Sequence, residues 1–150
     1  MTARSIDGAD KFSPPTQAQL DAATNWVRRF VERWTTPNAD SLRDLMHPDT
    51  ANLIPPMTEP GDAEAVVEHF RGLLNRVPDF KLSIVRWAPT GDSVLIEWEG
   101  SGTVAGTLLV WRGVDRVSLR GDRMYNGQVY WDTRRLAERM TEAVKAAQAA

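Results

Sequence analysis

The stretch Val94-Leu95-Ile96-Glu97-Trp98-Glu99-Gly100-Ser101-Gly102-Thr103, resumed as Thr107-Leu108-Leu109-Val110-Trp111, decides the fold. Successive side chains of an extended chain point to opposite sides. Val94, Ile96 and Trp98 therefore share one face, and Leu95, Glu97 and Glu99 share the other. The first face is made for burial. Gly100, Gly102 and Gly106 are too many for a flat strand interior. Glycines in such places mark a bulge or sharp bend, and they predict a sheet that curls around something.

Downstream, Leu109 and Trp111 continue one face, Gly113-Val114-Asp115 interrupts it, and Val117 and Leu119 form a shorter strand. Gly121-Asp122 and Asn126-Gly127 are both hairpin signals, too close together to bracket a strand. The turn is placed at Gly121-Asp122, and Asn126-Gly127 is read as a bulge in a last strand from Arg123 to Trp131. Asp132 then caps a helix carrying Leu136, Met140 and Val144. Arg134 and Arg135 stand in its first turn, where positive charge opposes the helix dipole. That predicts carboxylate partners for them from elsewhere, among Glu97, Glu99 and Asp115.

Upstream, Phe80, Leu82 and Ile84 alternate with Lys81 and Ser83, and Thr90-Gly91-Asp92 is a turn. Before Pro78 the period changes to that of a helix. Val66, Val67, Phe70, Leu73, Leu74 and Val77 recur at helical spacing behind a start at Gly61-Asp62. Ala51 to Ile54 reads as a short strand before Pro55-Pro56. A short helix is expected from Ala39 to Met46, stopped by His47-Pro48. Thr16 with Gln19 three residues on has capping-box spacing. The helix it opens gathers Leu20, Ala23, Trp26, Val27, Phe30, Val31 and Trp34 into one arc, opposite Asp21, Asn25, Arg28 and Glu32. Residues 1–13 are polar and patternless and read as a flexible tail, leaving 14–147 as one domain. The order is three helices with one early strand, a meander of about five strands, and a final helix.

A chain of 150 residues with 42% hydrophobic and 25% charged residues suits one domain with a proper core. Net charge is −2 with no basic stripe, which argues against nucleic acid as a partner. Cysteine is absent, so disulfides, thiolate metal sites and cysteine nucleophiles are excluded. No apolar run is long enough for a bilayer and the start lacks a signal-peptide core, so no membrane partner and a cytoplasmic location are expected. Six tryptophans are an unusual share of twelve aromatic residues; they suit both core and pocket wall.

This order of elements resembles the SnoaL-like (polyketide cyclase-like) branch of the nuclear-transport-factor-2-like superfamily over roughly Thr16 to Met140. The resemblance is carried by Leu42-Arg43-Asp44-Leu45-Met46-His47-Pro48-Asp49, the segment from Pro55-Pro56 to Gly61, Glu97-Trp98 and Gly102-Thr103. Gly121-Asp122-Arg123-Met124 and Tyr130-Trp131-Asp132 complete it. It implies an α+β cone, a curved antiparallel sheet wrapped over N-terminal helices with a C-terminal helix, and a pocket between them. It also implies a homodimer formed through the sheet.

The superfamily includes polyketide cyclases, steroid isomerases, limonene epoxide hydrolase and many non-enzymes, so residues must choose among them. Steroid isomerases place an aspartate base on or beside the early strand, with a tyrosine and a second acid as oxyanion donors. Here that strand offers Asn52 and no carboxylate. The epoxide hydrolase's two aspartates, bridging arginine, tyrosine and asparagine correspond to positions at or near Ala51, Leu53, Trp98, Gly100 and Val129. The cyclase aspartate also falls near Val129. All three known sites are blank in this sequence, and the nearest carboxylate, Asp132, is better explained as a helix cap.

Among other candidates, Glu97 and Glu99 flank Trp98 on one face, where a solvated or dimer-facing pair outweighs an acid–base pair. His47 and His69 lie too far apart, with no third ligand in a recognisable spacing, for a metal site. No metal or other cofactor is called for. Tyr125 and Tyr130 are possible hydrogen-bond donors in a pocket. The expected ligand-binding wall is Trp26, Phe30, Leu53, Phe70, Leu74, Ile96, Trp98, Leu109, Trp111, Val129 and Trp131. Such a wall favours a hydrophobic small molecule, steroid-, terpenoid- or polyketide-like, held by shape. An isomerase, cyclase or hydratase with an unidentified acid–base residue is one reading; a non-catalytic binding or dimerising module is the other.

Overall fold

In the computed structural model, which describes residues 14–150, the Thr16 capping box forms as its spacing predicts. The Thr16 hydroxyl accepts from the Gln19 N–H at 3.2 Å, and the Gln19 side chain accepts from the Thr16 N–H at 2.8 Å. The tail expected over residues 1–13 lies outside the described residues. Helix α1 (Gln17–Thr35) buries Ala23, Trp26, Val27, Phe30 and Trp34; Val31, at 46% exposure, falls outside the stripe. A short 3-10 helix follows at Asp40–Leu45, then β1 (Met46–Leu53) and α2 (Ala63–Arg76) with Asp62 as its cap. Strands β2 (Lys81–Thr90), β3 (Ser93–Val104), β4 (Thr107–Arg120) and β5 (Arg123–Trp131) form the meander. Helix α3 (Thr133–Ala149) is capped by the Asp132 carboxylate, which accepts from the Arg135 N–H at 2.9 Å.

The five strands make one sheet in the order β1-β5-β4-β3-β2. The meander is antiparallel, while β1 joins β5 in parallel, so the sheet is mixed at that edge. Four strands follow α2 instead of five, because β4 runs unbroken through Gly113-Val114-Asp115. Gly113 does not turn the chain. It stands opposite Trp98, and a Cβ there would run into the Trp98 indole.

The glycines of β3 act similarly. Pairing of β3 with β4 continues without a register shift from Ser93–Ser118 to Val104–Thr107, so the expected bulge is absent there. A Cβ on Gly100 would meet the rings of Phe80 and Trp111 at 3.2 Å, and one on Gly102 would run into Val77. The meander's irregularities lie instead between Ile84 and Arg86 in β2 and in β5 opposite Ser118 and Leu119 of β4. The latter is the bulge expected in β5, placed one residue early: Asn126 pairs with Ser118 and Met124 with Leu119, leaving Tyr125 over. The Gly121 turn is as expected, with φ +62°.

Strand β1 begins earlier than its apolar run suggested and takes in His47-Pro48. As an edge strand it has a free side that tolerates proline, and its register is irregular between Met46 and Ala51. A string of rings joins α1 to the sheet: Trp26–Phe30 at 5.2 Å, Phe30–Trp34 at 6.1 Å, Trp34–Phe80 at 5.7 Å and Phe80–Trp111 at 5.4 Å. The Trp26 indole also donates to the Leu45 carbonyl at 3.0 Å, pinning α1 to the 3-10 helix. Among the described residues no helix is long and apolar enough to cross a membrane.

Candidate active site

Between α1, α2, α3 and the inner face of the sheet lies a cavity of about 490 Å³. Its walls are mostly aromatic and aliphatic. One carboxyl group interrupts them. Asp115 lies two residues before Val117 and four after Trp111 on β4, and the strand's two-residue period turns all three toward the cavity. The Trp98 indole N–H donates to Asp115 Oδ1 at 2.7 Å. That indole reaches Asp115 because Gly113 leaves room for it. Among the described residues the carboxyl takes no second hydrogen bond, so Oδ2 is unengaged.

Burial pushes the Asp115 carboxyl up from the usual 3.8 to about 7, and the Trp98 N–H offsets only part of the rise. A charged carboxylate is costly among apolar walls, while a single donor favours it more weakly. The direct neighbours of Asp115 across the sheet are Ile96 on β3 and Val129 on β5, neither of which bears charge. Asp115 is thus poised between its two protonation states near neutral pH.

Seven of the expected wall residues line the cavity: Trp26, Phe30, Phe70, Trp98, Trp111, Val129 and Trp131. Four do not. Leu53 is displaced by its neighbour Asn52, which is 1% exposed, lines the cavity and leaves the next side chain pointing the other way. The Asn52 amide donates to Thr50 Oγ1 at 2.9 Å, and its oxygen packs against Gly127, where any Cβ would collide with it. Leu74 packs on the core but yields the wall to Leu73. Ile96 is 0% exposed in the core behind the wall, and Leu109 is buried beyond Trp111, toward the Ala105-Gly106 turn. Trp34, Phe80 and Met140 take their places.

The remaining candidates lie elsewhere. Glu97 and Glu99 face outward and pair with Arg86 at 3.5 Å and Arg112 at 2.8 Å. Arg134 finds its acid within its own helix, Glu138 at 3.2 Å, and Arg135 makes no ion pair among the described residues; the expected partners Glu97, Glu99 and Asp115 are engaged otherwise. Tyr130 is 58% exposed, and Tyr125, set aside by the bulge, packs its ring under the Arg120 guanidinium at 3.5 Å. His69 lines the cavity, and burial, with Arg76 nearby, lowers its pKa.

The acid missed in the sequence carried a legible signal. Stepping by two from Leu109 and Trp111 reaches Gly113, Asp115, Val117 and Leu119, a single face with one acid in it. Reading the glycine as a break concealed it.

Residues 27–126 match the family profile described as the SnoaL-like domain. The chain belongs to the SnoaL-like domain family. No curated protein is similar to it in sequence at a significant level. Among solved structures, this SnoaL-like domain is similar to AclR of Streptomyces galilaeus, provisionally assigned as a hydroxylase. There TM-score is 0.71 and identity 14%, over 83% of either chain. It is also similar to a provisionally assigned SnoaL-like polyketide cyclase from Jannaschia sp. CCS1, with TM-score 0.69 and 16% identity over 86% of this chain and 95% of that one. An NTF2-like protein from Anabaena variabilis aligns with TM-score 0.67 and 16% identity over 81% of this chain and 96% of the other. At such identities the likeness is one of fold.

Proposed function

We propose that this SnoaL-like domain holds a hydrophobic small molecule, steroid-, terpenoid- or polyketide-like, and moves a proton on it with Asp115 as its acid–base group. The observation that carries this reading is the single cavity-facing carboxyl, with one oxygen tied to Trp98 and the other unengaged. A base works best when its pKa lies near the working pH, and Asp115 at about 7 meets that condition. Its ionised form takes a proton from carbon beside a carbonyl; its neutral form returns the proton at another atom. Isomerisation, cyclisation and hydration all contain such steps. Trp98 acts as a positioning residue, fixing which oxygen faces the guest.

The test needs no knowledge of the natural reaction. Steroid, terpenoid and polyketide-like ketones are incubated with the protein in D₂O, and deuterium uptake beside the carbonyl is followed by NMR. Binding is monitored by tryptophan fluorescence. Asp115→Asn is expected to bind the same ketones and to lose exchange by about a hundredfold or more. Trp98→Phe removes the donor that favours the carboxylate, so its exchange profile moves to higher pH. Exchange that survives in Asp115→Asn, or bound ketones that never exchange in the native chain, refutes the catalytic reading and leaves a binding module.

A second copy of the chain is the proposed partner of the outer sheet face. Leu95, Val110, Val114 and Tyr130 stand there at 41%, 37%, 38% and 58% exposure, flanked by the Arg86–Glu97 and Arg112–Glu99 pairs. Light scattering that returns a monomer mass at micromolar concentration removes this proposal.

A further inference from the structure

The cavity walls divide by exposure. Trp26, Phe30, Trp34, Phe80 and Trp98 are buried, whereas Pro56, Arg76, Arg134 and Ala137 are exposed and therefore mark the mouth. Two of these four rim residues are arginines, contributed by the last turn of α2 and the first turn of α3. His69, two turns before Arg76 on α2, is the remaining basic group on the wall. Asp115 is the only acid among the lining residues. Glu138, paired to Arg134 at 3.2 Å, lies off the wall. Arg76 makes no ion pair among the described residues, and its guanidinium folds back over Gly72.

From this arrangement we propose that the guest is an amphipathic acid: an apolar body seated against the aromatic walls, with a carboxylate left at the mouth between Arg76 and Arg134. The inference rests on the cavity being a ligand site and adds the guest's charge and orientation. A neutral guest gains only ordinary hydrogen bonds from the guanidinium groups at the opening, one of which, Arg134, is already paired with Glu138. An anion gains charge-assisted hydrogen bonds there while its body stays in the apolar part. The same placement keeps the anion away from Asp115, whose ionised form it would repel, and brings the far end of the guest to the reacting carboxyl.

Matched pairs of one skeleton test this: pyrenebutyric acid against its methyl ester, and abietic acid against methyl abietate, titrated by quenching of tryptophan emission. The acids are expected to bind severalfold to tenfold more tightly than their esters, since each exposed ion pair is modest. The preference disappears in Arg76→Gln/Arg134→Gln and falls in 0.5 M salt, where exposed charges are screened. Both arginines are exposed, so the double variant keeps its fold, checked by its melting temperature. Esters binding as well as acids, or a preference that survives in the double variant, overturns the inference while leaving the cavity reading intact. No binding by any of the four compounds overturns the inference, and the cavity reading falls with it only if the ketones above also fail to bind.

Discussion

Asp115 and Glu99 are both carboxylic acids in the β3–β4 hairpin, yet they live in different solvents. Glu99 points outward, meets Arg112 at 2.8 Å and keeps water around it. Asp115 points inward, meets one indole N–H and is raised to about 7 by burial. Chemical identity does not separate them; the parity of their positions along the strands does. A half-buried sheet therefore decides, residue by residue, which acids are held near their protonation midpoint and which serve as solvated charge.

Changing the inner acid should give the largest effect on stability. Because its folded pKa is raised above the ordinary 3.8, the folded state holds a proton that the unfolded chain releases between about pH 4 and pH 7. Stability is lost as pH climbs through that window, by roughly 2–4 kcal/mol once above it, the lower figure because Asp115 is only half-buried in the cavity wall. Asp115→Asn, which cannot ionise, should therefore be more stable than the native chain by roughly 2–4 kcal/mol at pH 8 and about equal to it near pH 4. Urea denaturation at the two pH values reads this directly. Equal stability at pH 8 would mean the carboxyl is not desolvated.

Gly113→Ala strikes the contact that lets the Trp98 indole reach Asp115. The added methyl collides with the Trp98 indole, a packed ring with little room to retreat. A loss of roughly 1–3 kcal/mol is expected in the same assay, as for other overpacked cores. An unchanged denaturation midpoint would show that Trp98 does not need the glycine. Glu97→Gln and Glu99→Gln should do least, within about 0.5 kcal/mol each, because exposed ion pairs contribute little. A larger loss on dilution-sensitive samples would point to the second copy on that face.

The sequence alone disclosed the caps, the tight turns and the parity of the central strand. The Thr16, Asp62 and Asp132 caps, the Gly91 and Gly121 turns and the parity of Val94, Ile96 and Trp98 follow from backbone needs and period, and the structure has them. What escaped were features set by a neighbour across the sheet. Gly100, Gly102 and Gly113 look like breaks until Trp111, Val77 and Trp98 are seen occupying the space beside them. Asn52 reads as an unlikely wall residue until parity excludes Leu53. The role of Asp115 was hidden in the same way: placed in a supposed interruption of the strand, it reads as an ion-pair partner for Arg134 or Arg135 and not as a group facing the cavity. The family resemblance gave the fold and directed attention to β1, β3 and β5, while the acid stands on β4.

The indole hydrogen of Trp98 is already committed to Asp115, so an arriving molecule cannot use it as a handle. Under the proposed function, orientation at that end then falls mainly to contour: whichever atom the rings steer against Oδ2 is the one that exchanges a proton. Swapping a ring or a leucine in the lining would re-aim the same carboxyl at a different atom. Under the proposed function, evolution, or an engineer, can thus retarget the chemistry without touching Asp115.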